Sequence, residues 1–367
     1  MQGIWSTLLA ILVYLGTMAG VVPAAGTGAG YYPPATGLPG GSATRSPAYA
    51  GGREIMAYYA KRRADDDLPY QALNRATGML TTVIPQAYRI DGSGRISGAP
   101  DRRAYALARA RGLKVVALVQ NTGNSGFDAG AVHALLADPM ARARAVNGLY
   151  NLVIQYGLDG VNLDLENVPP GDRDRLTSFI RELAARLRPG RFLFAASLPA
   201  KIRDERGSSW SGAYDYHAIG PYLDQAVIMA YDEHVPGGAP GPVASLGWVD
   251  AVLRYAVTAF PRQKLVLGLP AYGYVFSARG SWAVNHAQAV SLAARAGASP
   301  AWDYRAQVPF FVYTGQGIRH TVYYEDNRSV ALKAGLAARY GLRGVAVWRL
   351  GYEDPGLWRA IAAKLSA

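Results

Sequence analysis

From Glu54 onward the chain repeats one pattern: a short run rich in Val, Leu and Ile, bounded by Gly or Pro, then a stretch with apolar residues at helical spacing. Eight such runs stand out, at 55–59, 82–87, 114–119, 160–165, 192–197, 225–231, 264–269 and 344–348. Nearly continuous apolar runs are what strands buried on both faces require, and parallel strands joined by helices are buried that way. The clearest helical stretch is 175–188, where Leu176, Phe179, Ile180, Leu183 and Leu187 share a face. Eight strand-then-helix units over about 310 residues predict a closed (β/α)8 TIM barrel of the α/β class. An open doubly wound sheet is the alternative, but no Gly-rich phosphate loop follows the first run. The last two runs are about 75 residues apart, more than one crossover helix needs. Residues 272–326, with the aromatic stretch 310–313 and the strand-like 321–324, are expected to form a small α+β insertion on the catalytic face.

The fourth run carries an unusual load. In Asp159-Gly160-Val161-Asn162-Leu163-Asp164-Leu165-Glu166, alternation puts Asn162, Asp164 and Glu166 on one strand face and Val161, Leu163 and Leu165 on the other. The alternation alone also fits a solvated polar face. Inside a barrel, however, buried carboxyls are costly unless paired or functional. Two carboxyls on alternate residues sit ~7 Å apart at the backbone. They cannot ionise independently, so one keeps its proton at neutral pH, as a general acid must.

Barrel active sites lie at the C-terminal strand ends. There the chain places Tyr58 and Tyr59, Gln120 and Asn121, Ser197 and Pro199, Tyr231 and Asp232, Tyr272, and Trp348. Each alone is also compatible with ordinary packing. The five histidines (His133, His217, His234, His286 and His320) show no metal-ligand spacing, so no metal is assigned. His234 follows Tyr231-Asp232-Glu233 closely enough to reach the cleft. No nucleophile elbow or Cys/His arrangement is present.

The stretch Asp159–Glu166 resembles the D-x-x-D-x-D-x-E signature of glycoside hydrolase family 18, the chitinase-like enzymes. Asp159, Asp164 and Glu166 match it, and Asn162 stands where many members carry aspartate. The continuation Asn167-Val168-Pro169-Pro170 is similar to the spore-germination and cortex-lytic branch, which acts on peptidoglycan. Met229-Ala230-Tyr231-Asp232 resembles the family's M-x-Y-D element, and Trp348 matches the tryptophan that floors the sugar site. The resemblance covers nearly all of the chain after residue 53, though its specific motifs are short.

It implies a retaining, substrate-assisted glycosidase, a class that departs from the two-carboxylate scheme. Glu166 is then the general acid, and later the base acting on water. Asp164 grips the substrate acetamide N–H, and Tyr231 orients the acetamide oxygen. Trp348, Asp232, Asn162, Gln120, Asn121, Tyr272 and Tyr58 are the expected substrate contacts. Asp159 is expected to support the start of the strand. No cofactor is implied.

Composition narrows the partners. A formal charge of +12 suits an anionic polymer such as peptidoglycan, although arginine-rich usage without binding meaning fits equally well. The basic residues are scattered, which disfavours nucleic acid. Cysteine is absent, so there is neither a disulfide framework nor a thiolate metal site. Residues 4–22 are uncharged and apolar, and small residues follow at 23–25. This reads as a signal peptide or a membrane anchor over 1–25, the only expected membrane contact, in a secreted or cell-envelope protein. A Gly/Pro/Ser-rich linker follows over 26–52, and the catalytic unit occupies 53–367. Three activities remain open: peptidoglycan N-acetylglucosaminidase, chitinase or chitooligosaccharide hydrolase, and sugar-binding lectin. Retention of Asp164 and Glu166 argues against the lectin.

Overall fold

A computed structural model of the chain describes residues 52–123 and 125–366. The expectations for 1–25, and for nearly all of 26–52, fall outside these residues. Eight parallel strands form the centre: β1 (Glu54–Tyr59), β2 (Thr82–Ile90), β3 (Lys114–Gln120), β4 (Gly160–Asp164), β5 (Leu193–Pro199), β6 (Gln225–Met229), β7 (Leu265–Pro270) and β8 (Gly344–Trp348). Each pairs with the next, and β1 pairs with both β2 and β8, so the sheet closes. Met56 lies opposite Thr82 on one side and Ala346 on the other. This is the expected (β/α)8 barrel, and closure removes the edges that an open sheet exposes.

Strand alternation separates two apolar layers. Met56, Tyr58, Ile84, Leu118, Val227, Val266 and Ala346 fill the barrel interior. Val161, Leu163 and Leu165 face the helices instead. The helix Arg173–Leu187 buries Leu176, Phe179, Ile180, Leu183 and Leu187 against that outer layer, worth about 1.5–3 kcal/mol per large side chain. At Gly160 a Cβ would lie 2.0 Å from the Leu193 carbonyl oxygen, so β4 and β5 can pair there only with glycine. Asp159 accepts hydrogen bonds from Arg109 Nη1 and the Val115 amide, both at 2.7 Å, and pins the start of β4 to its neighbours.

Two strand boundaries differ from the expected runs in a way that matters for the site. β4 stops at Asp164, so Leu165 and Glu166 leave the ladder, and Asn167 takes a left-handed φ of 55°. β6 stops at Met229, and Asp232 has φ 63°. Runs of residue type do not show where backbone pairing ends, because side chains complete it. β2 also runs on to Ile90 and folds back through Ile96–Gly98. Asp91 Oδ1 closes that turn by accepting from the Ser93 amide and hydroxyl and from the Arg95 amide.

Between β7 and β8 a five-stranded antiparallel sheet forms from Tyr272–Ser277, Gly280–Asn285, Ala301–Asp303, Val308–Gly315 and Ile318–Tyr323. One face packs on the helix His286–Arg295 through Val275, Val284, Ala289, Ala293, Phe311 and Val322. The other carries Tyr272 and Tyr274 towards the barrel mouth. Among the described residues no helix is long and apolar enough to cross a membrane.

Candidate active site

The site rises from the barrel floor in three tiers. The lowest is neutral. Tyr58 Oη and Ser197 Oγ are 2.8 Å apart, Ser197 Oγ donates to Asn162 Oδ1 at 3.0 Å, and Asn162 Nδ2 reaches Tyr58 Oη at 3.4 Å. Three strands meet in this closed triangle, and all three side chains are buried. Burial also pushes the Tyr58 hydroxyl well above its usual range, so it stays a protonated donor.

The middle tier is Asp164, 4 % exposed. Its Oδ2 accepts from Gln120 Nε2 at 2.7 Å, from a side chain directly across the β3–β4 ladder. Its Oδ1 is buried and has no protein partner. Burial raises the Asp164 pKa, and the Gln120 amide partly offsets that.

Glu166 forms the upper tier, on backbone that has left the sheet. Its amide donates to Asn121 Oδ1 at 2.9 Å, and its carbonyl accepts from Asn121 Nδ2 at 2.9 Å. Asn121 Nδ2 also donates to the Asp128 carbonyl at 3.1 Å. One asparagine therefore replaces the missing ladder partner. On the preceding residue, Tyr214 Oη donates to the Leu165 carbonyl at 2.7 Å. Together these bonds hold the peptides flanking the Glu166 side chain. That side chain is half-buried and lies close enough to feel the charges of Asp164 and Asp232. Burial first, then the charges of Asp164 and Asp232, push its carboxyl well above the usual range. That direction favours the protonated carboxyl, the form a proton donor needs.

The cleft walls are aromatic. Tyr231 is half-buried, and its ring stands edge-on to Tyr272 at 6.3 Å. Asp232 Oδ1 accepts from Tyr272 Oη at 2.6 Å and from Tyr274 Oη at 2.7 Å. Burial raises the Asp232 pKa, against the pull of those two hydroxyls. Trp348, half-buried at the end of β8, packs edge-on to Tyr58 at 5.2 Å, and its peptide bond to Arg349 is cis. Arg349 is buried, donates to the Ala60 carbonyl and lies over the Tyr352 ring.

The structure therefore gathers Glu166, Asp164, Tyr231, Asp232, Tyr272, Trp348, Tyr58, Asn162, Gln120 and Asn121 around one barrel mouth. They do not all face it equally. Asn121, 1 % exposed, is spent on backbone groups, Gln120 on Asp164, and Tyr58 and Asn162 on each other and Ser197. In this structure those four are turned to the protein's own groups. Elsewhere, Tyr59 turns outward to Asp101, and the Pro199 carbonyl accepts from Tyr216. His133 pairs with Asp172 and His286 with Asp354, while His234 Nδ1 contacts the Pro242 carbonyl. Among the described residues no group of three or more His, Cys, Asp or Glu side chains is placed to hold a metal ion.

Two supporting residues escaped the sequence reading. Tyr274 shares the strand alternation of Tyr272, a signal that was available in Tyr272-Gly273-Tyr274. Tyr214 lies in the irregular segment after β5, and no local pattern brings it beneath Leu165.

Comparison with known proteins adds an independent line. The family model described as "Glycosyl hydrolases family 18" matches residues 54–353. The cortical fragment-lytic enzyme of Bacillus subtilis is 30% identical over 295 residues, which is 78% of this chain and 68% of that protein. Among solved structures, the spore cortex-lytic enzyme SleL of Bacillus megaterium superposes with a TM-score of 0.78 at 26% identity, covering 84% of this chain and 73% of the other. A chitinase from Chromobacterium violaceum superposes with a TM-score of 0.80 at 32% identity, covering 86% and 99%.

Proposed function

Because the chain belongs to glycosyl hydrolase family 18, we propose that it is an exported glycosidase cleaving β-1,4 bonds next to N-acetylglucosamine in peptidoglycan, with retention, by substrate-assisted catalysis. The observation that carries the mechanism is the pairing of Glu166, its carboxyl pushed well above the usual range by burial, with an Asp164 whose Oδ1 is buried and unpartnered. A buried acceptor left open costs free energy unless something fills it, and an acetamide N–H on the substrate is a matching donor.

In this scheme Glu166 gives its proton to the glycosidic oxygen as the bond to the anomeric carbon breaks. The carbonyl oxygen of the substrate's own acetamide bonds to that carbon from the opposite side. Asp164 Oδ1 accepts the acetamide N–H and stabilises the positive charge that develops. Tyr231, its hydroxyl kept protonated by burial, donates to the acetamide oxygen and aligns it. Trp348 offers an apolar face to the pyranose ring. Water then attacks the anomeric carbon while Glu166 takes its proton, which restores the acetamide and the acid. Two inversions leave net retention. Gln120, Asn121, Asn162 and Tyr58 act behind these groups, as their protein-facing bonds support.

Peptidoglycan is favoured by the Asn167-Val168-Pro169-Pro170 continuation and by the cortex-lytic relatives. Export is favoured by the apolar run at 4–22. A chitin substrate is the second reading, and the nearly full-length likeness to the Chromobacterium violaceum chitinase favours it. Incubation with purified peptidoglycan, spore cortex and chitin, followed by mass analysis of the fragments, separates them. Release from chitin alone sinks the peptidoglycan assignment. Glu166→Gln should lower kcat by about 10²–10⁴-fold while sugar binding persists. Substrate carrying a free amine at the cleaved sugar should be inert, and equal cleavage of both forms rules out the acetamide nucleophile.

A further inference from the structure

Gln120 can hold Asp164 only if its amide is turned one way. An ionised carboxylate offers acceptors alone, so Gln120 must present its –NH2 and keep Oε1 on the far side. The last torsion of a glutamine is broad and nearly two-fold, and nothing intrinsic selects one orientation. Turned over, Gln120 would aim Oε1 at the Asp164 carboxylate and repel it.

A third residue adds to the orientation that Asp164 imposes. Gln86 Nε2 donates to Gln120 Oε1 at 2.7 Å, and Gln120 Nε2 donates on to Asp164 Oδ2 at 2.7 Å. Gln86 lies on β2 where the strand register is irregular: Gln86 is opposite Leu118, yet Tyr88 is opposite Val119. The extra residue sends Tyr88 outward into the helix-facing layer and keeps Gln86 on the inward face with Leu118, where Arg89, opposite Gln120, is the next residue. Bulges beside active sites commonly re-aim a side chain in this manner. Gln120 and Asp164 are buried, whereas Gln86, midway along β2, is exposed. The relay therefore runs from the solvent-facing rim to the buried carboxyl.

We propose that Gln86 is a positioning residue for the catalytic pair: by donating to Gln120 Oε1 it locks the Gln120 amide with its –NH2 on Asp164, and so keeps Asp164 Oδ1 turned to the substrate. This rests on the role given to Asp164 under Proposed function. Glutamate at position 86 reverses the bias, because an ionised carboxylate accepts only and favours the flipped Gln120. Leucine merely removes it.

The test compares Gln86→Leu and Gln86→Glu in wild-type and Gln120→Leu backgrounds. The Asp164 carboxyl is followed by 13C NMR titration in the free enzyme, beside the pH dependence of kcat/KM on the substrate the enzyme cleaves. In the wild-type background Gln86→Glu should move the Asp164 titration up by about one pH unit or more, the worth of a lost charge-assisted hydrogen bond. Gln86→Leu should move it less, in the same direction. The acid limb of kcat/KM should follow, with kcat falling and KM nearly constant. With Gln120→Leu, the Gln86→Leu shift should vanish and the Gln86→Glu shift should shrink. Equal shifts in both backgrounds, or no shift in either, overturn the relay. So does a rise in KM with an unmoved titration, which would make Gln86 a substrate contact. If the NMR titration moves as expected and the acid limb does not, the relay stands and the role given to Asp164 fails.

Discussion

Asn121→Ala separates two roles that the sequence left together. Asn121 was expected to touch substrate, yet its side chain makes three bonds to the chain itself: from the Glu166 amide, to the Glu166 carbonyl and to the Asp128 carbonyl. Alanine leaves the Glu166 amide and carbonyl unpaired at a position 1 % exposed, whereas the Asp128 carbonyl keeps the Val132 amide as a donor. Each buried unsatisfied group costs about 1–3 kcal/mol. Some water reaches the rim once the side chain is gone, so the low end applies and the sum is about 2 kcal/mol. With an unfolding entropy near 2 cal/mol/K per residue over about 315 residues, Tm should fall by about 3 °C. Catalysis should suffer more. Glu166 lies outside the sheet and depends on Asn121 for its place, and a displacement near 1 Å at a reacting group costs about 10²-fold. Steady-state kinetics should therefore show kcat down about 10²-fold with KM nearly unchanged, alongside a thermal melt. A large rise in KM at constant kcat would restore a substrate contact. A Tm within about 1 °C and kcat within about threefold of wild type would refute the clamp.

Other outcomes follow from the same structure. Asp164, Glu166 and Asp232 all have folded pKa values raised mainly by burial. Their contribution to stability is fully present below the unfolded carboxyl values near 4 and is lost as pH rises through the raised folded values. Asp164→Asn should therefore match wild type in unfolding at low pH and become increasingly the more stable protein towards pH 8, by about 1.4 kcal/mol per unit of the removed shift. A constant stability difference across that range would contradict the linkage. Lys333 Nζ meets Glu325 at 2.6 and 2.9 Å with both side chains shielded from solvent. Denaturant titration of Lys333→Met should show a loss of about 3–5 kcal/mol, and replacing both partners with apolar residues should recover most of it. Tyr214→Phe should cost about 1–3 kcal/mol by orphaning the Leu165 carbonyl, and it should lower kcat without raising KM.

Much of this protein was legible before folding. Eight apolar runs, each bounded by breakers and followed by helical spacing, admit a closed parallel barrel or a doubly wound sheet, because both bury every run on both faces, and the lack of a Gly-rich loop after the first run favoured the barrel. Alternation within Asn162-Leu163-Asp164 assigned inward and outward faces without coordinates, since the side-chain period of a strand is fixed by backbone geometry. The proton-retaining pair followed from that period and from electrostatics.

Tertiary structure decided how those groups are held. Gln86, Gln120 and Asp164 are brought together by register between strands and by one irregularity in β2, neither of which composition encodes. Asn121 became a backbone clamp because β4 stops two residues before Glu166, leaving an amide and a carbonyl that some side chain had to meet. Tyr214 reached Leu165 along an irregular segment whose path depends on long-range contacts. Periodic elements are readable because local geometry repeats. Hydrogen bonds between side chains distant in sequence are not, because they exist only after the barrel has closed and set the distances between strands.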